Sequence, residues 1–196
     1  MLFRSALPAG GLAYYVACLR EVFEESGLLL ATTSQGQYVT FSDAATRDRF
    51  ADYRRELNEG RRSFRDIVAR EELQLDLRAL EYYSHWVTPI GPPRRYDTRF
   101  FVALAPEHQV AAHDAGETVA DVWIAPTEAL DRARRGELEM IFPTVKNLED
   151  IAHLHTAAEV VEFARQRRTI PRIEPRIVTR SGRTEILMPS DDGYDE

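Results

Sequence analysis

Cysteine and lysine are almost missing from this sequence. Cys18 is the single cysteine among 196 residues, so neither an intrachain disulfide nor a multi-cysteine zinc site can form. Such a composition is typical of a reducing compartment, and we expect the protein to be cytoplasmic. Lys146 is the single lysine. Arginine therefore supplies nearly all of the positive charge, and its forked guanidinium suits phosphate, although a biased genome would give the same composition.

Long apolar runs and an excess of positive charge are also missing. We expect neither a membrane span nor a signal peptide, because no apolar run of suitable length follows Arg4 or occurs later. The net charge of −7 argues against a nucleic-acid partner, which needs a basic face. The hydrophobic content of 44% is sufficient for one core. We therefore expect one domain over residues 1–196, and a homodimer is compatible with this composition.

Hydrophobic periodicity and capping residues predict three helices in the first part of the chain. The first is expected at about Ala13–Ser26, with Gly27 at its C-terminal end. A helical pair follows within residues 42–75, where Ser42 stands at a cap position and Ser63 with Asp66 resembles a capping box. We interpret this pair as an insertion that shapes a substrate pocket or acts as a lid.

The pattern then changes to strands, and later returns to helices. The predicted strands are Leu80–Thr88, Tyr96–Leu104, Thr118–Ile124 and Thr184–Met188. The predicted helices are one from Pro126 to about Arg135 and two more that begin at caps Thr144 and Thr156. Thr156 has Glu159 in the capping-box position. The segment Pro171–Pro175 is expected to break the last helix.

The predicted first helix has an apolar side and an acidic side. On a helical wheel, the apolar side is formed by Tyr15, Val16, Leu19, Val22 and Phe23. Glu21, Glu24 and Glu25 lie opposite, where like charges three and four residues apart repel and the helix dipole adds negative charge. A hard divalent cation would relieve this conflict, polarise a phosphoryl oxygen and generate a hydroxide-like nucleophile. The alternative is an ordinary amphipathic helix with a solvated acidic face.

The acidic helix resembles the second half of the Nudix box, the signature of the Nudix hydrolases. The matching segment is Arg20-Glu21-Val22-Phe23-Glu24-Glu25-Ser26-Gly27-Leu28. The resemblance implies a metal-dependent enzyme that cleaves a phosphate anhydride in a nucleoside diphosphate linked to another group, with Mg²⁺ or Mn²⁺ as cofactor. It implies that Glu21, Glu24 and Glu25 bind the metal and that one of them orients the attacking water; we place Glu21 and Arg20 in the catalytic set. Arg20 would hold a glutamate through a charge-assisted bond.

The first half of the box does not match, because Ala6 and Leu12 stand at the positions of its glycine and glutamate. One branch of the family splits the box with an insertion, and Gly10–Tyr15 is similar to the segment that precedes the acidic helix there. Similarity to this branch extends to Trp86–Pro89, Pro93–Phe101, His113–Thr118 and Met188–Tyr194. The branch includes coenzyme A diphosphatase-like proteins of the peroxisomal type, so coenzyme A or an acyl derivative is the leading substrate. The alternatives are nucleotide sugars or dinucleotides, or a non-catalytic nucleotide-binding or regulatory protein.

The resemblance implies an α+β fold in which a mixed sheet is flanked by helices. Nudix folds begin with strands that precede the box, and residues 1–12 leave little room for them. We expect a chain that is shortened at its N-terminus, whether as a fragment, through a start assigned too late, or naturally. Uncovered apolar surface and a bare strand edge would make such a chain marginally stable or self-associating, with weak catalysis.

Arginines and acidic residues outside the helix are further candidates. Arg94, Arg95 and Arg99 would bind substrate phosphates through forked hydrogen bonds; the alternative for them is a set of surface ion pairs. Glu117 would supply a general base or a further metal ligand, with Asp114 as its rival. The alternative for Glu117 is a solvated loop carboxylate.

Three other residues are expected to have structural roles. Trp86 and Trp123 are expected in the core of the sheet rather than as stacking platforms. Cys18 lies between the two faces of the acidic helix, where we expect an inert packed thiol.

Overall fold

The structure is a computed structural model that describes residues 10–109, 111, 122–180 and 183–195. The described residues form two compact units. The helical unit comprises 10–80 together with 103–109, 111 and 122–124. The sheet unit comprises 81–102 and 125–195, apart from 181 and 182.

The helical unit contains the three predicted helices, which are α1 (Gly11–Ser26), α2 (Ala44–Asn58) and α3 (Phe64–Arg70). Between and after them, β1 (Ala31–Thr32) pairs antiparallel with β2 (Gln74–Leu75). A short 3₁₀ turn, Leu77–Ala79, follows.

The caps of α2 and α3 show why these helices begin where they do. The Asp43 carboxylate accepts a hydrogen bond from Thr46 N at 2.8 Å, so Asp43 is the N-cap of α2. The prediction of Ser42 as this cap is wrong by one residue, because the carboxylate of its neighbour takes the role. At α3, Ser63 and Asp66 form the predicted capping box.

The apolar side of α1 packs on the helical pair. Leu19 and Phe23 are fully buried, and the Phe23 ring centroid lies 6.4 Å from that of Phe50 in α2 and 6.2 Å from that of Phe64 in α3. Burial of one such phenyl ring contributes roughly 1.5–3 kcal/mol. The helical pair thus covers the side of α1 that faces away from the carboxylates.

The side chain of Gln109 connects distant segments of the helical unit. It is buried, and its Oε1 accepts a hydrogen bond from Leu29 N at 2.8 Å. Its Nε2 donates to Leu29 O at 3.1 Å and to Val39 O at 2.7 Å. The amide therefore satisfies the backbone of the chain that leaves α1, as a neighbouring strand would.

The sheet unit contains a mixed three-stranded sheet. In it, β3 (Glu81–Val87) pairs antiparallel with β4 (Asp97–Val102) and parallel with β5 (Arg172–Ile173). The helices of this unit are α4 (Pro126–Arg134), α5 (Phe142–Ile151) and α6 (Ala157–Gln166), followed by a hairpin of β6 (Arg176–Arg180) and β7 (Arg183–Leu187). Trp86 of β3 is buried as predicted, and its Nε1 donates to Asn147 Oδ1 of α5 at 3.2 Å.

One prediction for the sheet unit is wrong, and another is incomplete. Thr144 lies inside α5, whose N-cap is Ile141, because Pro143 occupies the first turn and fixes the start of the helix earlier. The segment Pro171–Pro175 is not merely a break, since Arg172 and Ile173 pair with β3 there.

The predicted strand Thr118–Ile124 falls mostly outside the described residues. Its described part, Val122–Ile124, is not in a strand. Trp123 is 72% exposed, so its assignment to the core is wrong. Within the described part of the chain, no helix is long and apolar enough to cross a membrane.

Candidate metal and substrate site

The C-terminal half of α1 carries the predicted metal ligands. Tyr15, Leu19 and Phe23 are buried along one stripe of this helix, which leaves the residues on the opposite face directed outward. Glu21 has a side chain that is 50% exposed, and the Glu24 side chain is 18% exposed. Both lie within the last two turns of the helix.

Arg20 joins two of these carboxylates. Its Nη1 donates to both carboxylate oxygens of Glu24, at 2.9 and 3.0 Å, and its Nη2 donates to Glu21. Pairs of this kind in an exposed helix stabilise it by only about 0.3–0.5 kcal/mol. The contacts therefore matter more for the orientation of the carboxylates than for the stability of the fold.

Residues of α2 hold the C-terminal end of α1. Arg54 Nε donates to Glu24 O at 2.9 Å, and Arg54 Nη2 donates to Glu25 O at 2.5 Å. Asn58 Nδ2 donates to Glu24 O at 3.3 Å. The last carbonyl groups of a helix have no partners within it, and they carry the negative end of its dipole. A guanidinium placed here satisfies the carbonyl groups and offsets negative charge in the turn that bears the glutamates.

Gly27 ends α1 and allows Arg54 to approach. Its φ of 74° lies in the left-handed region, and its N–H donates to Phe23 O at 3.0 Å. A Cβ atom added at Gly27 would lie 3.2 Å from Arg54 Nη1. Both the backbone conformation and the close approach therefore favour glycine here.

Cys18 is the nearby thiol on α1. Burial raises its pKa to about 11, with a smaller contribution from the negative charge of Glu21. The thiol is therefore neutral at physiological pH, consistent with a packed and unreactive side chain.

The donor set on α1 fits a hard divalent cation in its chemistry. Glu21, Glu24 and Glu25 offer carboxylate oxygens, which Mg²⁺ and Mn²⁺ prefer. Among the described residues, no group of three or more Asp, Glu, His or Cys side chains is arranged as a ready-made metal site. Arg20 holds Glu21 and Glu24 in the arrangement seen here, so metal binding would require these side chains to rotate.

The three candidate arginines lie in the sheet unit. Arg94 is exposed. Arg95 Nε donates to Thr88 O at 2.9 Å, and its Nη2 forms an ion pair with Glu174. These contacts match the ion-pair alternative for Arg95.

Arg99 also has an acidic partner in the sheet unit. Its side chain is 9% exposed, and its Nη1 donates to Asp97 Oδ1 at 2.9 Å. His85 Nε2 lies 2.5 Å from the same oxygen.

The phosphate-binding role of the three arginines stays a prediction. Glu117 and Asp114 lie outside the described residues.

Arg54 and Asn58 of α2 were missed by the sequence reasoning, which considered the insertion only as a lid or a pocket wall. They lie about 30 residues from the carbonyl groups that they contact. A possible signal was the uncompensated negative end of α1, which predicts that a cation from elsewhere caps it.

Residues 2–151 match the family model described as the NUDT19 Nudix domain. The chain belongs to this family. The Nudix assignment made from α1 is thereby confirmed, as is the branch that resembles the coenzyme A diphosphatases. The role of residues 42–75 as an insertion within this Nudix domain stays a prediction.

Three vertebrate proteins named acyl-coenzyme A diphosphatase NUDT19 are similar to the chain. The protein from Gallus gallus is 26% identical, over 98% of this chain and 54% of the relative. The protein from Xenopus laevis is 25% identical over 99% and 54%, and that from Homo sapiens is 27% identical over 93% and 51%. The chain spans about half the length of the curated relatives it matches.

A solved structure supports the same Nudix assignment. The chain is similar to a crystal structure of a NUDIX hydrolase from Alicyclobacillus acidocaldarius, with a TM-score of 0.69 and 26% sequence identity. The similarity covers 80% of this chain and 68% of that chain. The predicted α+β fold of the Nudix type is confirmed.

Proposed function

We propose that this chain hydrolyses the diphosphate bond of coenzyme A or an acyl-coenzyme A, with a divalent cation held by α1. The observation that carries the proposal is the acidic end of α1, where Arg20 joins Glu21 and Glu24. The vertebrate relatives are named acyl-coenzyme A diphosphatases. Their names support the proposal that this chain cleaves the diphosphate bond in the same class of substrate.

Glu21, Glu24 and Glu25 would hold the cation, Mg²⁺ or Mn²⁺, through their carboxylate oxygens. When bound, such a cation polarises a phosphoryl oxygen and activates a water molecule. Arg20 keeps the carboxylates oriented by its hydrogen bonds. We assign Glu21 the orientation of the attacking water, because its carboxylate is more exposed than that of Glu24.

Residues elsewhere in the chain are proposed to contact the substrate. The exposed guanidinium of Arg94 would contact a substrate phosphate. Arg95 and Arg99 would do so only by exchanging the acidic partners that they now contact. Glu117 is proposed as a general base or a further metal ligand, with Asp114 as the next candidate.

The direct test is product analysis with purified protein. Cleavage of the anhydride in coenzyme A yields adenosine 3′,5′-bisphosphate and 4′-phosphopantetheine, which ion-exchange chromatography separates. We expect both products with Mg²⁺ or Mn²⁺ and none after addition of a chelator. Cleavage of nucleotide sugars or dinucleotides, but not of coenzyme A, would show that the proposed substrate is wrong. Binding of coenzyme A without cleavage in either metal would support the regulatory alternative.

A further inference from the structure

A pocket of about 310 Å³ opens in the helical unit beside the C-terminal end of α1. Its lining includes Phe23, Phe41, Phe50, Arg47, Arg54 and His108. Sites for small molecules have volumes of roughly 300–1,000 Å³ and combine apolar walls with a few polar groups. The pocket has this size and composition.

Three phenyl rings form the apolar part of the pocket. The Phe41 and Phe50 ring centroids are 5.4 Å apart, and those of Phe23 and Phe50 are 6.4 Å apart. Phe23 and Phe50 are buried and therefore fixed by their packing. Aromatic walls of this kind favour a flat ring, which they contact by stacking or edge-on packing.

The polar part of the pocket is basic. Arg47, Arg54 and His108 line it, and its lining contains no carboxylate. Arg47 is exposed and its Nη1 donates to Phe41 O at 3.2 Å. A guanidinium has five N–H donors in a fork that matches phosphate, so the remaining donors of Arg47 are suited to an anionic group.

The pocket shares a residue with the acidic end of α1. Arg54 lines the pocket and also donates to Glu24 O and Glu25 O. Gly27, which ends α1, lines the pocket as well. A ligand in the pocket therefore lies next to the turn whose glutamates are proposed to hold the cation.

We propose that this pocket binds the adenosine 3′-phosphate end of the substrate, an inference that rests on the proposed cleavage of coenzyme A. The diphosphate of coenzyme A joins two unlike parts. One part has a flat base and a phosphate monoester, and the other is a flexible, uncharged pantetheine arm. Aromatic walls with a basic rim fit the first part, because the base packs on the phenyl rings and the 3′-phosphate pairs with Arg47.

Binding of nucleotides without metal tests the pocket independently of activity. The probes are adenosine 3′,5′-bisphosphate, 5′-AMP and 4′-phosphopantetheine, titrated by calorimetry in the presence of a chelator. We expect the bisphosphate to bind at least tenfold more tightly than 5′-AMP, and Arg47→Gln to remove this difference. Arg55→Gln is the matched control, since Arg55 lies on the same helix and pairs with Asp52 at 2.7 Å outside the pocket.

A kinetic comparison adds a second readout. Dephospho-coenzyme A lacks the 3′-phosphate. We expect the KM of the native protein for coenzyme A to be at least tenfold lower than its KM for dephospho-coenzyme A. In Arg47→Gln the two KM values should converge with little change in kcat. Circular dichroism melting of both variants checks that they are folded.

The outcomes separate this inference from the proposed function. If the bisphosphate binds in an Arg47-dependent manner but coenzyme A is not cleaved, the assignment of the pocket is supported and the proposed activity is wrong. If coenzyme A is cleaved but the 3′-phosphate and Arg47 have no effect on binding or KM, the pocket assignment is wrong. Preferential, Arg47-dependent binding of 4′-phosphopantetheine would also overturn it.

Discussion

The guanidinium of Arg54 caps helix α1 from outside, with its Nε 2.9 Å from the backbone oxygen of Glu24. The contact joins helix α2 to the turn of α1 that carries the glutamates. It also places a positive charge where the helix dipole and the carboxylates both concentrate negative charge. The position of this turn therefore depends on a residue outside the Nudix box.

Replacing Arg54 with alanine should destabilise the helical unit by about 1–3 kcal/mol, because partly buried carbonyl groups lose charge-assisted hydrogen bonds. Urea-induced unfolding measures the change. Arg55→Ala is the control on the same helix, and its exposed pair with Asp52 should contribute no more than about 0.5 kcal/mol. Equal stability of the two variants would show that Arg54 does not hold the end of α1.

Replacing Gly27 with alanine should destabilise the protein by more than the same change at Gly60. Both glycines have positive φ, 74° and 68°, and an alanine there is strained by about 1–2 kcal/mol. A Cβ atom at Gly27 also meets Arg54 Nη1 at 3.2 Å, whereas one at Gly60 has nothing within 4 Å. The difference between the two melting temperatures isolates the contact with Arg54. A smaller effect at Gly27 would contradict the close approach.

Replacing Glu24 or Glu25 with glutamine should lower kcat on coenzyme A by about a hundredfold or more, as for the loss of electrostatic stabilisation of a reacting phosphate. Glutamine keeps the shape of the side chain and removes its charge. Glu59→Gln is the control, since Glu59 is an exposed carboxylate that does not belong to α1 and is paired with Arg61. Near-native rates for both test variants would show that the carboxylates of α1 do not hold the metal.

Cys18 should react slowly with alkylating reagents in the folded protein at pH 8. Burial, aided by the charge of Glu21, raises its pKa to about 11, so little thiolate is present. Since the raised pKa favours the neutral thiol, reactivity should increase as the pH rises towards 11. Mass spectrometry after timed iodoacetamide treatment measures this, with urea-unfolded protein as the reference. If the pH midpoint of alkylation in the folded protein lay near that of the unfolded chain, the assignment of Cys18 as a buried thiol with a raised pKa would be wrong.

Local sequence signals predicted α1 and its faces well. The stripe of Tyr15, Leu19 and Phe23 has helical spacing, and Gly27 suits the left-handed residue that ends the helix. Both features depend on neighbours within a few positions. The same is true of the capping boxes at Ser63 and Thr156, which the structure contains as predicted.

Contacts between distant segments were not predictable in the same way. Arg54 is one of many arginines, and nothing in its immediate neighbours distinguishes it from Arg55. The two residues of β5 are too few to show a period, and flanking prolines suggested a break instead. Trp123 was assigned to the core of the sheet, but burial depends on what surrounds a side chain in space.

Gln109 has a consequence for how the helical unit is completed during synthesis. Its hydrogen bonds to Leu29 span 80 residues, and strands β3 and β4 of the other unit are translated in between. Contacts between residues so far apart in sequence form late, because the long chain segment between them must first close into a loop, at a cost in entropy. Helices α1 to α3 therefore leave the ribosome before Gln109 is available to form these hydrogen bonds. Pulse-labelled amide exchange at Leu29, whose N–H is the donor to Gln109, should show protection later than the amides within α2.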